Sequence, residues 1–484
     1  MKNITLKTVA LSILFVMCFS FVGCFGDGEA KLSTEVYDGD VIYVGNTADT
    51  TADPTIGVPF NLGIEAAFAA YNANGGFNGK SVVLKHYSDG GETEKSLTLM
   101  DKLIHEDEIF AVVGNYGTYA VNANLSVLKE NCVPMIYAAS GSEALFNSNA
   151  TSDGDRCIFP VQPLNQAEGQ MLILRAFAPA YDDNENYLGG LGATKVGVIS
   201  SSDEASQAML AGIKAEAKKS GLSNIIYQEV VTSDFSAAAS ALHAEGCDVV
   251  IITVVGVPFV SALTALANVN YDKSVLTTYN NSNAAVFNDN NSKMTETGLN
   301  ILSKMTVYAQ AWLDVNDLTY YYKADTNLYN GYKFLGKIAK DEAGNELGVP
   351  GFTQKYWDVA EDIFDYAASL NDSKISPLNM SYNSYALAGY IAGNLFCQAL
   401  DELKAQGKEL TRANLVDVLE SKNFQVAMAD QISYQNGLRE GVQSFSLTVF
   451  YDTDTLTNDG NHTASSTTIH PLTSMDEYRD LISK

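Results

Sequence analysis

From Val41 onward, short apolar runs alternate with stretches whose apolar residues recur every three or four positions. These are the periodicities of buried strands and of helices with one apolar face. VIYVG (41–45), SVVLKHY (81–87), IFAVVG (109–114) and VPMIYA (133–138) read as strands. Between them Ile64, Ala67, Phe68 and Tyr71 mark a helix that Gly75 and Gly76 stop. Leu97, Met100, Leu103 and Ile104 mark a second helix, and Val121, Leu125 and Leu128 a third. After the Pro-containing stretch FPVQPLNQAEG (159–169) the rhythm restarts. TKVGVIS (194–200), NIIYQEVV (224–231), CDVVIITVV (247–255) and SVLTTY (274–279) are its strands. The helices between them run through Met209, Ile213 and Ala217, through Phe235, Ala238, Ala239 and Leu242, and through Leu263 and Leu266. Each half thus predicts a parallel β-sheet flanked by helices, so the chain is read as an α/β fold with two such sheets.

Beyond Lys304 the pattern turns helical and rich in tyrosine, as in LTYYYKADTNLYNGYKFLGKI and SYALAGYIAGNLFCQAL. FSLTVFYD (445–452) reads as a strand, NDGNHTASSTTIHP as a polar tail, and Met475, Tyr478 and Leu481 as a last short apolar set. In open α/β sheets, ligands gather outside the carboxyl ends of the strands. Here those ends lead into loops 46–57, 115–118, 139–142, 200–206, 256–258 and 279–283, which are rich in Ser, Thr, Asn, Gly and Asp. Two such rims facing each other would form a cleft.

The N-terminus changes the setting. Lys2 and Lys7 precede an apolar run from Val9 to Val22, then Gly23 and Cys24, the layout of a secretory signal. A spanning helix needs about 20 apolar residues, more than this run supplies, so removal after Gly23 is expected. Phe21-Val22-Gly23-Cys24 resembles the lipobox of bacterial lipoproteins, which implies that Cys24 becomes the acylated first residue and that residues 24–36 form a tether. The full chain of 484 residues, 46% of them hydrophobic, suits two or more domains. Its formal charge of -27 becomes -29 once Lys2 and Lys7 are lost, a surface that repels nucleic acid and anionic lipid heads.

Cys132 and Cys157 each stand just before an apolar run. If those runs are adjacent parallel strands about 4.8 Å apart, the pair lies near disulfide range, and a bridge is expected. Cys247 and Cys397 fall inside helix and strand patterns and read as buried thiols. The five histidines, at 86, 105, 243, 462 and 470, form no metal-binding pattern. GGLGAT (189–194) precedes a strand instead of following one, and neither a nucleophile elbow nor a phosphate loop occurs. DTDTLTNDG (452–460) has Leu456 and Thr463 where calcium ligands belong, so it reads as a polar turn. No cofactor, metal or enzymatic activity is expected.

GIEAAFAAYNANGGFNGK (63–80), LMDKLIHEDEIFAVVGNYGT (99–118), VPMIYAASGSEAL (133–145) and KVGVISSSDEASQAMLAGIKAEAKKSG (195–221) follow one another in a specific order. In that order the chain resembles the type I periplasmic binding proteins of the branched-chain amino-acid (Leu/Ile/Val) binding family, which deliver solutes to ABC transporters. The resemblance implies two lobes joined by three crossings, expected near 161–166, 307–310 and 437–442. Lobe 1 would comprise 37–165 and 308–441, with 311–380 an extended insert, and lobe 2 would comprise 166–307 and 442–484. Its partners would be a small solute, an ABC permease and, through the lipid anchor alone, the outer face of the cell membrane; a monomer is expected.

On that frame the strand 109–114 ends at the cleft. Gly114 and Gly117 would let backbone approach the solute, and Thr118 would cap a helix whose free N–H groups suit a carboxylate. Ser140, Gly141 and Ser142 would repeat the device, with Asn115, Tyr116 and Ala139 beside them. Plain helix capping by Thr118 and Ser142 is the competing reading. On the second rim the aromatic and acidic residues usual in amino-acid binders give way to Ala205, Val255 and Asn280. Asp203 and Glu204 could supply the charge and Tyr279 an aromatic wall, or the two acids could simply serve the start of the next helix. Three functions follow: an importer's binding lipoprotein, a ligand-sensing lipoprotein acting on a separate receptor, and, least supported, an α/β enzyme. The solute stays open, an amino acid or an amide or aromatic acid.

Overall fold

The structure, a computed structural model, describes residues 30–289, 293–324, 332–337, 349–457 and 460–483. The first lobe opens with β1 (Val41–Ala48), α1 (Pro54–Ala73), β2 (Ser81–Ser88), α2 (Thr93–His105), β3 (Ala111–Val113), α3 (Thr118–Glu130), β4 (Met135–Ile136), α4 (Asp153–Arg156) and β5 (Ile158–Phe159). These strands make a parallel sheet in the order β2-β1-β3-β4-β5. β3, β4 and β5 read as near-continuous apolar segments because both faces of a parallel sheet are covered. β4 is only two residues long although six apolar residues run together there. Pro134 has no N–H to give the ladder, and Tyr137 takes a left-handed φ of 58° that ends it.

The chain then passes through α5 (Asn165–Phe177) into β6 (Val196–Ser201), α6 (Glu204–Lys219), β7 (Ile225–Val230), α7 (Ser236–Ala244), β8 (Val249–Ile252), α8 (Val257–Asn268), β9 (Ser274–Thr277), α9 (Glu296–Leu302) and β10 (Thr306–Ala311). β11 (Asn316–Ala324), β12 (Tyr332–Lys337) and β13 (Val349–Phe352) form a separate three-stranded sheet. α10 (Gln354–Ser369), α11 (Pro377–Ser381), α12 (Ser384–Ala405), α13 (Arg412–Leu419) and the hairpin β14 (Asn423–Gln425) and β15 (Gln431–Ser433) return to the first lobe, α10 and α12 packing on α1. β16 (Ser444–Asp452), α14 (Asp454–Thr457), β17 (Ala464–Ser474) and α15 (Met475–Ser483) complete the second lobe. Its sheet runs β17-β16-β10-β9-β8-β6-β7, parallel from β7 to β10 and antiparallel at β16 and β17.

Several expectations change. LTYYYKADTNLYNGYKFLGKI, read as helical, instead contributes the antiparallel strands β11 and β12, a conformation that tyrosine-rich sequence favours. β10 belongs to the second sheet through Ala311, so the second crossing follows that residue instead of falling at 307–310. Much of the polar tail is the strand β17, because pairing with β16 supplies the order that its Ser- and Thr-rich sequence does not. The latter part of the 24–36 tether is docked on the first lobe: Leu32 is buried, its N–H donates to Asp153 Oδ2 at 3.0 Å, and Ser33 O accepts from Ala413 N at 3.0 Å. Cys24 and the signal sequence lie outside the described residues. Among the described residues no helix is long and apolar enough to cross a membrane.

The expected Cys132–Cys157 bridge is not formed; both are free thiols. β4 and β5 are neighbours, but Met135 pairs with Ile158, which puts Cys157 level with Pro134 and Cys132 two residues earlier. Each thiol gives its proton to a main-chain carbonyl, Cys132 Sγ to Lys129 O at 3.7 Å and Cys157 Sγ to Asp153 O at 3.2 Å. The neighbouring Cys132 sulfur, and then burial, hold the Cys157 thiol well above its ordinary range. Cys247 and Cys397 are buried thiols, as read.

Candidate functional site

The carboxyl ends of the two sheets face one another, and the rims touch where Ser142 Oγ lies 3.4 Å from Glu204 Oε1. The first rim carries Asn115, Tyr116, Gly117, Thr118, Ala139, Ser140, Gly141 and Ser142; the second carries Asp203, Glu204, Tyr279 and Asn280. All twelve predicted residues therefore stand at strand ends, but their local roles differ.

The helix α3 starts at Thr118, and its cap is Gly117, at φ 92°, with no side-chain cap bond. Thr118 is instead the exposed first residue, its Oγ1 2.9 Å from Ser140 Oγ. The first N–H groups of a helix have no intrahelical partner, so α3 presents free donors at the cleft. The glycines here answer to the protein's own packing. A Cβ on Gly114 would fall 2.6 Å from Ile64 Cδ1, and one on Gly117 2.7 Å from the Tyr119 ring. Tyr119 folds back over Gly117 and is fixed by donating its hydroxyl to Asp89 Oδ1 at 2.9 Å. That contact was invisible in sequence because Asp89 lies 30 residues away.

Asn115 is turned inward: its Oδ1 accepts from Thr47 N at 3.2 Å and from Thr47 Oγ1 at 2.9 Å, tying β1 to β3. Tyr116 is half-buried between Phe60, at 5.3 Å between ring centroids, and Tyr385 at the start of α12, at 6.0 Å. Burial raises its phenol well above the ordinary range. Ala139 links the loops through its N–H to Asn115 O at 2.8 Å. Ser142 caps a single three-residue turn, Glu143–Leu145, and its Oγ also lies 2.9 Å from Asn122 Oδ1, so the second terminus is shorter and less free than the first. Gly141 packs against Asn165, where a Cβ would fall 2.5 Å from Oδ1.

On the second rim Asp203 caps α6, accepting from Ser206 N at 2.9 Å and bonding Ser201 Oγ. The capping alternative is the observed one for this acid. Asn280 is exposed and bonds locally to Thr278 Oγ1. Tyr279 is half-buried and reaches the first crossing: its hydroxyl donates to Pro163 O and accepts from Gln162 Nε2, both at 3.2 Å. Gln162 Oε1 in turn accepts from the Tyr137 hydroxyl at 3.2 Å. Sequence reasoning missed Tyr137 and Gln162, as well as Glu168 on α5, whose carboxyl holds the Tyr279 loop. Two surface hollows of about 460 and 300 Å³ lie elsewhere, beside Tyr37 and Lys408 and between α7 and α8, and contain none of the predicted residues. Among the described residues no group of His, Cys, Asp or Glu is arranged to hold a metal.

Two lobes of helix-flanked parallel sheets whose strand ends face one another define a two-lobed binding protein of type I. Residues 41–320 match the family model described as periplasmic binding protein, and the chain belongs to that family. Family and fold are those of solute-binding proteins, and they imply an extracytoplasmic location. Over 203 residues the chain is 25% identical to an "amino acid binding protein" of Pseudomonas aeruginosa, a match covering 42% of this chain and half of that protein. Among solved structures, an ABC transporter substrate-binding protein from Sphaerobacter thermophilus superposes with a TM-score of 0.60 at 15% identity, covering 90% of this chain and 98% of the other. A leucine binding protein from Thermotoga maritima gives 0.56 at 14% identity, covering 90% and 100%. A fatty acid ABC transporter substrate-binding protein from Thermomonospora curvata gives 0.58 at 12%, covering 94% and 96%. At these identities the likeness is one of fold.

Proposed function

We propose that the chain is an extracytoplasmic lipoprotein that captures a small carboxylate-bearing solute between its lobes and delivers it to an ABC importer. The observation that carries this is the start of α3, where Gly117 leaves the first N–H groups uncapped and Thr118 stands exposed beside Ser140. A carboxylate suits such a terminus. Closure would be a population shift, since only the closed form contacts the solute from both rims.

A second reading, a carboxylic acid without an ammonium group, is favoured by the second rim. Asp203 is engaged as a cap and Asn280 is uncharged, leaving Glu204 as the acid nearest the first rim. A thermal-shift screen of residues 25–484 with amino acids, aliphatic and aromatic acids, amides, nucleosides and sugars tests both. A solute at a hundredfold excess over its Kd adds about 2.7 kcal/mol of stability. Hits confined to acids support the site, hits among amino acids alone select the first reading, and hits confined to sugars or nucleosides remove it. Thr118→Ala should then weaken the hit about tenfold, roughly 1.4 kcal/mol, while moving the unliganded midpoint little; equal small effects would reduce Thr118 to a structural role.

The lipid anchor has a separate test. Wild-type protein made with its signal sequence should partition into detergent through Cys24, and Cys24→Ala protein should stay in the aqueous phase. Partition of both alike would remove the anchor from the proposal.

A further inference from the structure

Glu168 is fully buried in the first turn of α5, just past the first crossing. Its Oε1 accepts the Tyr279 N–H at 2.6 Å and its Oε2 accepts the Thr278 hydroxyl at 3.0 Å. Gln310 of β10, next to the second crossing, donates Nε2–H to the Glu168 main-chain carbonyl at 3.4 Å and lies close enough to the carboxyl to favour its ionised form. Glu168 thus joins α5, the β9 loop and β10. Through the Tyr279 hydroxyl the chain of bonds continues to Gln162, Pro163 and Tyr137.

We propose that Glu168 is the positioning residue that sets Tyr279 against the first crossing, and that its protonation state adjusts how firmly the two rims are held for closure. This rests on the solute-binding reading of the same cleft.

The chemistry is asymmetric. An ionised carboxylate accepts from the Tyr279 N–H and the Thr278 hydroxyl together, with the Gln310 amide beside it, and charge-assisted bonds are the stronger ones. A protonated carboxyl must donate once, and the Tyr279 N–H cannot accept. Gln310 Oε1 is buried and has no hydrogen-bond partner among the described residues, so its side chain, which already bonds the Glu168 main chain, offers a free acceptor for that proton. Among the described residues no charged side chain acts on Glu168, and Tyr279 is the titratable group beside it. Of its neighbours, Arg175, further along α5, points to Phe445 O and Tyr478, Glu216 of α6 pairs with Arg479 of α15, and Glu143 accepts from the Gln166 N–H. Burial, opposed by the three donors, pushes Glu168 from 4.5 up to about 7.

Two signs follow. Relative to the unfolded chain, the folded one binds the extra proton, so this group's stabilisation is present at acid pH and is lost as pH rises from about 4.5 to about 7. Relative to a released Tyr279 loop that leaves Glu168 buried, the clamped loop supplies the donors that favour the carboxylate, so the clamp tightens as pH rises through about 7 and above.

The test uses solute-free protein, residues 25–484, as wild type, E168Q and Y279F, followed by thermal unfolding and small-angle X-ray scattering from about pH 5 to about pH 9. Wild type should show a step to a smaller radius of gyration that begins near pH 7 and continues above it. E168Q should lose that step and also the fall in unfolding midpoint that wild type shows below about pH 7. Y279F keeps Glu168 but removes the hydroxyl, so it should lose the step and retain the fall. A wild-type radius that is flat across pH, or a step that survives in Y279F, overturns the proposal; if E168Q does not fold, Y279F decides. Because no solute is present, failure of the binding screen and failure of this device are seen separately.

Discussion

Gly389→Val is expected to destabilise the chain by about 3 kcal/mol or more, at the upper end of overpacking costs. α1 and α12 meet backbone to backbone. A Cβ on Gly389 would fall 1.9 Å from Phe60 O, and one on Gly63 1.9 Å from Ala386 O. A side-chain tip can turn away from such a contact, but a carbonyl within a helix cannot, so the helices must separate. The separation reaches the site, because α1 carries Phe60 and α12 carries Tyr385 to opposite sides of Tyr116. Urea unfolding should show a lower midpoint with an unchanged slope, and Gly63→Val should behave alike. A midpoint equal to wild type would mean that the crossing is looser than these distances allow.

The two-lobed plan was legible because its main signal is local. Buried parallel strands such as Val249–Ile252 are apolar on both faces and stand out as runs, and the helices between them repeat their apolar residues at helical spacing. The rim loops followed from topology alone. What sequence could not assign was the use of each rim residue, since capping and ligand binding draw on the same side chains. Thr118 looked like a cap and is not one, whereas Asp203, open to binding or capping alike, caps α6. β17 was hidden for a related reason: its residues are polar, and only the hydrogen bonds of β16 make them a strand. Glu168 was passed over as one acid among many because its partners, Thr278 and Tyr279, lie 110 and 111 residues away.

The third crossing offers the other large effect. Arg439→Ala should cost about 3–5 kcal/mol, the range for breaking a buried ion pair from one side. Its guanidinium is fully buried, paired with Glu420 and lying 4.5 Å over the Phe159 ring. It also donates to Arg156 O at 2.8 Å and to Leu438 O at 3.0 Å, while its backbone exchanges hydrogen bonds with Asn147. Removing it leaves carbonyls unpaired in the core and frees the segment that leads into β16. Arg439→Lys keeps the charge but not the planar fork, so it should recover only part of the loss. Arg156 grips the same Glu420 at 2.6 Å from a position that solvent reaches, and its replacement by alanine should cost about 1 kcal/mol. A double-mutant cycle over Arg439 and Glu420 in urea separates the pair from the packing. A coupling near zero would assign the loss to the Phe159 contact and the stranded carbonyls, and a coupling of 2 kcal/mol or more, within the about 0.5–3 kcal/mol found for contacting residues, would assign it to the ion pair at the hinge.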